Sequence, residues 1–218
     1  MAASFTNAAG RQIVLDLITA IQAQKQYLSD IDGLIGDGDH GVNMNKGFTL
    51  AGEQLGREPG DLTHALGVLS KVLMMKIGGS MGPLYGMFFK AMAGATQGVE
   101  AVDAAVFGRM LRATREAIEK ISPAKPGDKT LMDVLVPAQE TFQTALDAGK
   151  PFAECLDTMA QAAEQGRDAT KDLIAKLGRS SRLGERSRGV VDAGAASCCL
   201  ILQTMANTIK GLLQCRPR

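Results

Sequence analysis

The apolar residues of this chain recur at helical spacing and almost nowhere at the alternating spacing of a half-buried strand. In 8–28, Ile13, Val14, Leu17, Ile18 and Ile21 form one stripe along a helix. Segment 61–77 repeats the pattern with Leu62, Ala65, Leu66, Leu69, Val72 and Leu73, and Asp61 behind Gly60 supplies an N-cap. Val102, Val106, Met110, Ala113, Ala117 and Ile121 share a face in 101–121. Segment 151–177 opens with Pro151 and carries Phe152, Leu156, Met159 and Ala163. Weaker stripes cover 43–55, 83–96, 130–148 and 194–213. The spacing predicts an all-α chain of eight helices without a strand, whose short connections favour antiparallel neighbours. With 218 residues and no repeat or linker, residues 1–218 are expected to form a single domain.

Composition narrows the function classes. Lys+Arg 24 against Asp+Glu 23 leaves a formal charge of +1, so no basic face for a polyanion is implied. Aromatic residues are 4% of the chain and Trp is absent, which argues against base-stacking platforms and leaves nucleic acid an unexpected partner. The N-terminal MAASFTNAAGR lacks the basic start and apolar stretch of a signal peptide, and no apolar run reaches the roughly 20 residues of a membrane span. Cys155, Cys198, Cys199 and Cys215 form no CxxC pair, and with two histidines a zinc site is not expected. Cys198 and Cys199 read as small core residues. The expected location is the cytoplasm.

The glycine-rich connectors 33–41, 78–82, 127–128 and 178–194 are where a helical scaffold of this kind carries its chemistry. The first holds Asp32, Asp37 and Asp39 within eight residues, with Gly36, Gly38 and Gly41 interleaved. Three carboxylates held together repel one another, which raises their pKa values or calls for a cation, and an oxygen-only set suits a hard ion such as Mg²⁺ or Ca²⁺. The other reading is an exposed acidic turn capping the following helix.

Three familiar motifs match by letters only. Gly36-x-Gly38-x-x-Gly41 fits a dinucleotide loop, but no buried strand precedes it and two aspartates stand where a pyrophosphate would sit. Counted from Asp37, an EF-hand loop would need Glu where Phe48 stands. Gly78-Gly79-Ser80-Met81-Gly82 spells a hydrolase elbow, yet the strand-turn-helix frame is missing and His64 reads as a helix surface residue.

A carboxylate-held hard ion tends to work on phosphates, so the chain ought to supply a phosphate cradle. Gly78 to Pro83 fits, as a flexible backbone leading into a helix, and the alternative is a tight interhelical turn. Pro126-Gly127-Asp128-Lys129-Thr130 precedes another helix, with Asp128 or Thr130 suited to capping it. Arg179, Arg182, Arg186 and Arg188 crowd the last connector; arginines pair with phosphate through a planar fork, though at least two of these four are expected simply to be solvated.

In order, IGDGDHGVNMNKGF, IGGSMGPLYG, KPGDKTLMDV and GRSSRLGERSRGVVDAGA resemble the motifs of the nucleotide-binding L subunits of dihydroxyacetone kinases, over nearly the full length. A related fatty-acid-kinase domain has a similar Asp-Gly-Asp loop with Thr at the position of His40, which favours the ketose-kinase branch. The resemblance implies eight antiparallel helices closed into a barrel-like bundle with ADP or ATP at one rim. It implies two Mg²⁺ ions on Asp32, Asp37 and Asp39, acting on the phosphates through the metal. His40, Gly41, Val42, Asn43, Ser80 and Met81 would lie around phosphates and ribose, and Ser122, Leu131, Arg179, Asp192, Ala193 and Gly194 would hold the rest of the nucleotide. Two positions depart from the pattern: Met81 stands where relatives carry a hydroxyl, and Ala193 replaces a common proline.

The same resemblance places the ketose on a separate K subunit, so this chain would deliver phosphate and be inactive alone. In one version ADP stays bound and is rephosphorylated by a phosphocarrier M subunit of the sugar phosphotransferase system. In another, ATP is consumed as a substrate and the ketose is dihydroxyacetone or erythrulose. A third is a non-catalytic regulator that engages a partner through bound nucleotide.

Overall fold

A computed structural model of the chain describes residues 3–214; Cys215 lies outside them. In chain order the elements are β1 (Ser4–Thr6), α1 (Asn7–Ala23), α2 (Lys25–Ile35), α3 (His40–Leu55), α4 (Leu62–Lys76), α5 (Met81–Thr96), β2 (Ala101–Asp103), α6 (Ala104–Ile121), α7 (Met132–Asp147), α8 (Phe152–Ala169) and α9 (Ala193–Gln214). Between α8 and α9 the chain makes two 3-10 segments, Thr170–Asp172 and Arg179–Ser187. No described helix is long and apolar enough to cross a membrane.

The helical expectation holds, with nine α-helices among the described residues rather than eight. The stripe predicted for 8–28 breaks at Gln24 (φ −100°, ψ 8°), and α2 continues to Ile35. Residues 22–27 carry no apolar side chain except Ala23 and Tyr27, so the periodicity contains nothing that would mark this turn. As a result Asp32 sits on a helix, one turn before its end, and not in a loop. The predicted helix 151–177 ends at Ala169. The two strands, expected to be absent, pair antiparallel with Phe5 opposite Val102. Each is three residues long, too short to display alternation, and each leads directly into a capped helix. Thr6 accepts from the Ala9 N–H at 3.2 Å, and Asp103 accepts from the Val106 N–H at 2.8 Å.

The predicted stripes in 8–28, 61–77 and 151–177 are buried faces, and that in 101–121 is buried except at its end, where Ile121 is exposed, and at the half-buried Ala113. Ile13, Val14, Leu17 and Ile21 of α1 are fully buried, as are Leu62, Leu66, Leu69 and Leu73 of α4. They join one continuous core with two aromatic groups: Phe48, Phe88 and Phe89 on one side, Phe107, Phe142 and Phe152 on the other. Neighbouring helices run in a ring, α1 against α4, then α5, α6, α7, α8 and α9, with α9 returning to α1. Helix α3 packs on α1 and α4, and α2 on α3 and α9. Asp61 caps α4 as expected, accepting from the His64 N–H at 2.8 Å, and His64 is exposed beside Glu58. Of the two expected caps of α7, Thr130 accepts from the Met132 N–H at 3.2 Å, while Asp128 instead accepts from Lys125 and pairs with Lys176; Asp133, inside the helix, reaches back to the N–H groups of Thr130 (2.7 Å) and Gly127 (2.5 Å). Cys155, Cys198 and Cys199 are buried and unpaired, in keeping with core packing.

Candidate nucleotide and metal site

The ring of helices leaves a cavity of about 810 Å³ at one end, within the range of small-molecule sites. Four helices begin at its wall, since His40, Met81, Met132 and Ala193, the first residues of α3, α5, α7 and α9, all line it. Ser80, before α5, makes no side-chain capping hydrogen bond, whereas the first N–H of α3 donates to Asp32 Oδ2 at 3.2 Å and that of α7 to Thr130 Oγ1 at 3.2 Å. The free N–H groups of a first turn, with the positive end of the helix dipole, favour an anion. The start of α9 is capped by Asp192, which accepts from the Ala195 N–H at 2.8 Å.

Facing these N-termini are Asp32, Asp37 and Asp39, which each place one carboxylate oxygen within 4.8 Å of the others. The turn between α2 and α3 enforces this. Gly38 takes φ 75°, and Gly41 packs so closely on α2 that a Cβ would strike the Lys25 carbonyl oxygen and the Ser29 side chain. The backbone N–H of His40 donates to Asp32 Oδ2 at 3.2 Å. Asp32 is pushed above its ordinary value, first by burial and then by the charges of Asp37 and Asp39, against the pull of the His40 N–H. Three oxygens at this spacing fit a divalent hard cation.

Arg179 comes from the 3-10 segment to pair with Asp37, Nη1 to Oδ2 2.9 Å. Of the predicted residues, Asp32, Asp37, Asp39, His40, Ser80, Met81, Ser122, Leu131, Arg179, Asp192, Ala193 and Gly194 line this one cavity. Gly41, Val42 and Asn43 are not in its wall. Gly41 is spent on the contact with α2, Val42 points to solvent at 48% exposure, and Asn43 is half-buried one turn along α3.

Sequence reasoning missed Tyr85, which lines the cavity, and Ser197, which is hydrogen-bonded to it. Tyr85 and Ser197 form a buried hydroxyl pair at 2.6 Å, and Ser197 Oγ lies 2.9 Å from His40 Nε2. The His40 ring is therefore held in place, and burial pushes its pKa down to about 4, so it is neutral near pH 7. Tyr85 and Ser197 sit in apolar helical stretches, where nothing in the sequence sets them apart. The apolar part of the wall comes from Leu84, Met87, Ile118, Ile121, Leu131 and Leu177.

A cavity that combines helix N-termini, clustered carboxylates, an arginine and an apolar wall, on a mostly helical scaffold, suits a metal-chelated anion with an apolar part. Residues 34–207 match the DAK2 domain, and the chain belongs to that family. It is 39% identical over 189 residues to the ADP-binding subunit DhaL of PEP-dependent dihydroxyacetone kinase 1 of Listeria innocua, covering 86% of this chain and 89% of that one. It is 35% identical over 191 residues to the corresponding subunit of Escherichia coli, covering 86% and 90%. The fold matches that of the C. freundii dihydroxyacetone kinase solved with AMP-PNP and Mg²⁺, with a TM-score of 0.67 at 21% identity over 95% of this chain. This chain spans 35% of that longer one.

Proposed function

We propose that this chain is the nucleotide-holding L subunit of a dihydroxyacetone kinase, which passes a phosphoryl group to a ketose held on a separate K subunit. The observation that carries the reading is the meeting of four helix N-termini with the Asp32, Asp37 and Asp39 cluster in one cavity. Fixed donors alone would attract any anion, and carboxylates alone any hard cation; together they suit a metal-chelated polyphosphate. The apolar wall suits the base, and curated relatives named as ADP-binding subunits support an adenine nucleotide. The family resemblance assigns two Mg²⁺ ions to the three carboxylates, and the ring of helix neighbours supports a closed, barrel-like bundle of one domain.

The chain's own residues position and neutralise. First-turn N–H groups of α5, beginning at Met81, donate to phosphate oxygens without needing the hydroxyl that relatives carry there. Neutral His40, fixed by Ser197, offers its remaining ring nitrogen without adding charge. Arg179 can turn from Asp37 towards phosphate. Mg²⁺ bound on the carboxylates supplies the charge neutralisation that lets the terminal phosphoryl group leave. Ala193 at the first position of α9 keeps the helix start that a proline would also give.

We take the donor to be a phosphocarrier that rephosphorylates the bound ADP, which is left on the protein as ADP again when the ketose takes the phosphoryl group, in line with relatives named PEP-dependent. Titration calorimetry of the purified chain with ADP and Mg²⁺ tests the reading. Asp37→Ala should abolish binding with helical circular dichroism unchanged, and unchanged binding would reject the metal assignment. Reconstitution with a K subunit and dihydroxyacetone, with phosphocarrier or with ATP, then identifies the donor; ADP that survives desalting favours the phosphocarrier.

A further inference from the structure

Lys129 is the one lysine buried among the described residues, with 1% of its surface exposed, although Lys125 and Pro126 of the same connector are exposed. Its backbone takes φ 62°, the left-handed region that non-glycine residues seldom adopt. The side chain runs inward and all three ammonium hydrogens find backbone carbonyls: Thr170 at 2.6 Å, Val190 at 2.6 Å and Leu173 at 3.3 Å. Burial lowers its pKa, opposed chiefly by the nearby charge of Asp192. A buried ammonium with unfavourable backbone dihedrals persists only where its surroundings over-determine it.

Those three carbonyls lie at the two ends of a single excursion, the stretch from Thr170 to Val190 that links α8 to α9. Arg179 is carried at its far end, and Asp192, Ala193 and Gly194 follow directly. Smaller bonds tie the same stretch: the Gly189 N–H donates to the Lys171 carbonyl at 2.7 Å, and the Asp192 N–H to Thr170 Oγ1 at 3.1 Å. None of these holds both ends to another part of the chain, whereas Lys129 anchors them to the connector that leads into α7.

We infer that Lys129 is a positioning residue, an internal clamp whose ammonium closes the base of the 170–190 excursion and so places Arg179 and the start of α9 for the nucleotide. The inference rests on the nucleotide reading above for its consequence but not for its geometry. It explains why a lysine stands inside the wall of a phosphate site while spending every hydrogen on carbonyls.

The full chain is compared with Lys129→Met, which keeps length and loses the ammonium, and with Lys129→Gln, which keeps two donors without charge and replaces the first variant if that one does not fold. Leu156→Ala, a core truncation in α8 away from the cavity, serves as a control of equal or greater loss of melting temperature. Loss of the clamp should weaken ADP binding in Mg²⁺ by about tenfold or more, and the control by less than about twofold. Hydrogen exchange without nucleotide should accelerate at Gly189 and Asp192 and stay unchanged in α4. Equal affinity losses in the Lys129 variant and the control would overturn the inference. If the unmodified chain fails to bind ADP, the nucleotide reading falls, and the exchange result alone decides the clamp: unaltered exchange at Gly189 and Asp192 overturns it.

Discussion

Arg179 Nη1 lies 2.9 Å from Asp37 Oδ2, so a cation from the segment before α9 is paired with a carboxylate of the proposed metal cluster on the far side of the cavity. Both side chains keep substantial solvent exposure, which limits such a pair to about 0–1 kcal/mol. Its interest is functional, because metal and guanidinium compete for one carboxylate. Arg179→Gln should therefore change melting by no more than about 2 °C. It should tighten Mg²⁺ binding in the absence of nucleotide and weaken ADP binding in Mg²⁺, each by about three- to tenfold. Calorimetric titrations read both, and changes of the same sign would contradict the shared-carboxylate arrangement.

Asp32 offers a complementary test. Burial and its two acidic neighbours already oppose its charge, so the metal-free cluster is a site of stored repulsion. Asp32→Asn keeps an acceptor for the His40 N–H while removing one charge. In chelator-treated protein the variant should melt at or above the temperature of the unmodified chain. Adding Mg²⁺ and ADP at about a hundred times the dissociation constant should stabilise the unmodified chain by about 2.7 kcal/mol and leave the variant almost unmoved. An equal stabilisation of both would exclude Asp32 as a ligand.

The helices were legible because their burial is one-sided: the stripes of α1 and α4 are the faces that became core, and so is most of the stripe in 101–121, apart from the exposed Ile121. The acidic loop was legible because carboxylates crowded among glycines are expensive without a use, and Asp32, Asp37 and Asp39 do converge. What stayed hidden depends on groups far apart in the chain. No local residue marks the break at Gln24, after which α2 packs on α3 and α9. Lys129 looked like part of a turn motif, yet its partners lie 41 and 61 residues away. Tyr85 and Ser197 meet across 112 residues inside helices that read as plain core. The convergence of four helix starts on one cavity is likewise a property of the packed bundle, and only the start of α5 carries the glycines that mark an anion cradle in the sequence.

Gly41 is a place where a single methyl group should disturb the site. Its missing Cβ lets the first turn of α3 rest on the Lys25 carbonyl and Ser29 of α2, and these are mostly backbone atoms that cannot step aside. Gly41→Ala must push α2 and α3 apart, at a cost of about 1–3 kcal/mol. Because Asp32 sits on α2 and Asp39 at the start of α3, the same shift widens the carboxylate cluster. We expect a loss of Mg²⁺-dependent ADP affinity that exceeds the loss from Gly67→Ala, a helical glycine with nothing within 4 Å of its added carbon. Equal behaviour of the two variants in binding and in urea unfolding would show that the α2–α3 contact does not set the site.

Two half-buried groups, Asp192 and His40, give the pH dependence opposite slopes. Asp192 ionises near 3.8 when unfolded and at about 7 in the native chain, raised by burial against the pull of the Ala195 N–H and Lys129. Between these values the native chain retains a proton that the unfolded chain releases, so this contribution falls as pH rises and is gone above about pH 7. His40 ionises near 6.5 when unfolded and at about 4 when native, lowered by burial. Over that interval the unfolded chain binds the extra proton, so its contribution grows with pH and is complete above about 6.5. From about pH 4 to 6.5 the two oppose each other in the intact protein. Asp192→Asn should therefore gain stability with rising pH more steeply than the unmodified chain, and His40→Gln should gain less or lose. Urea unfolding at about pH 4.5, 5.5 and 6.5 measures these slopes, and three parallel profiles would show that neither group titrates as its burial requires.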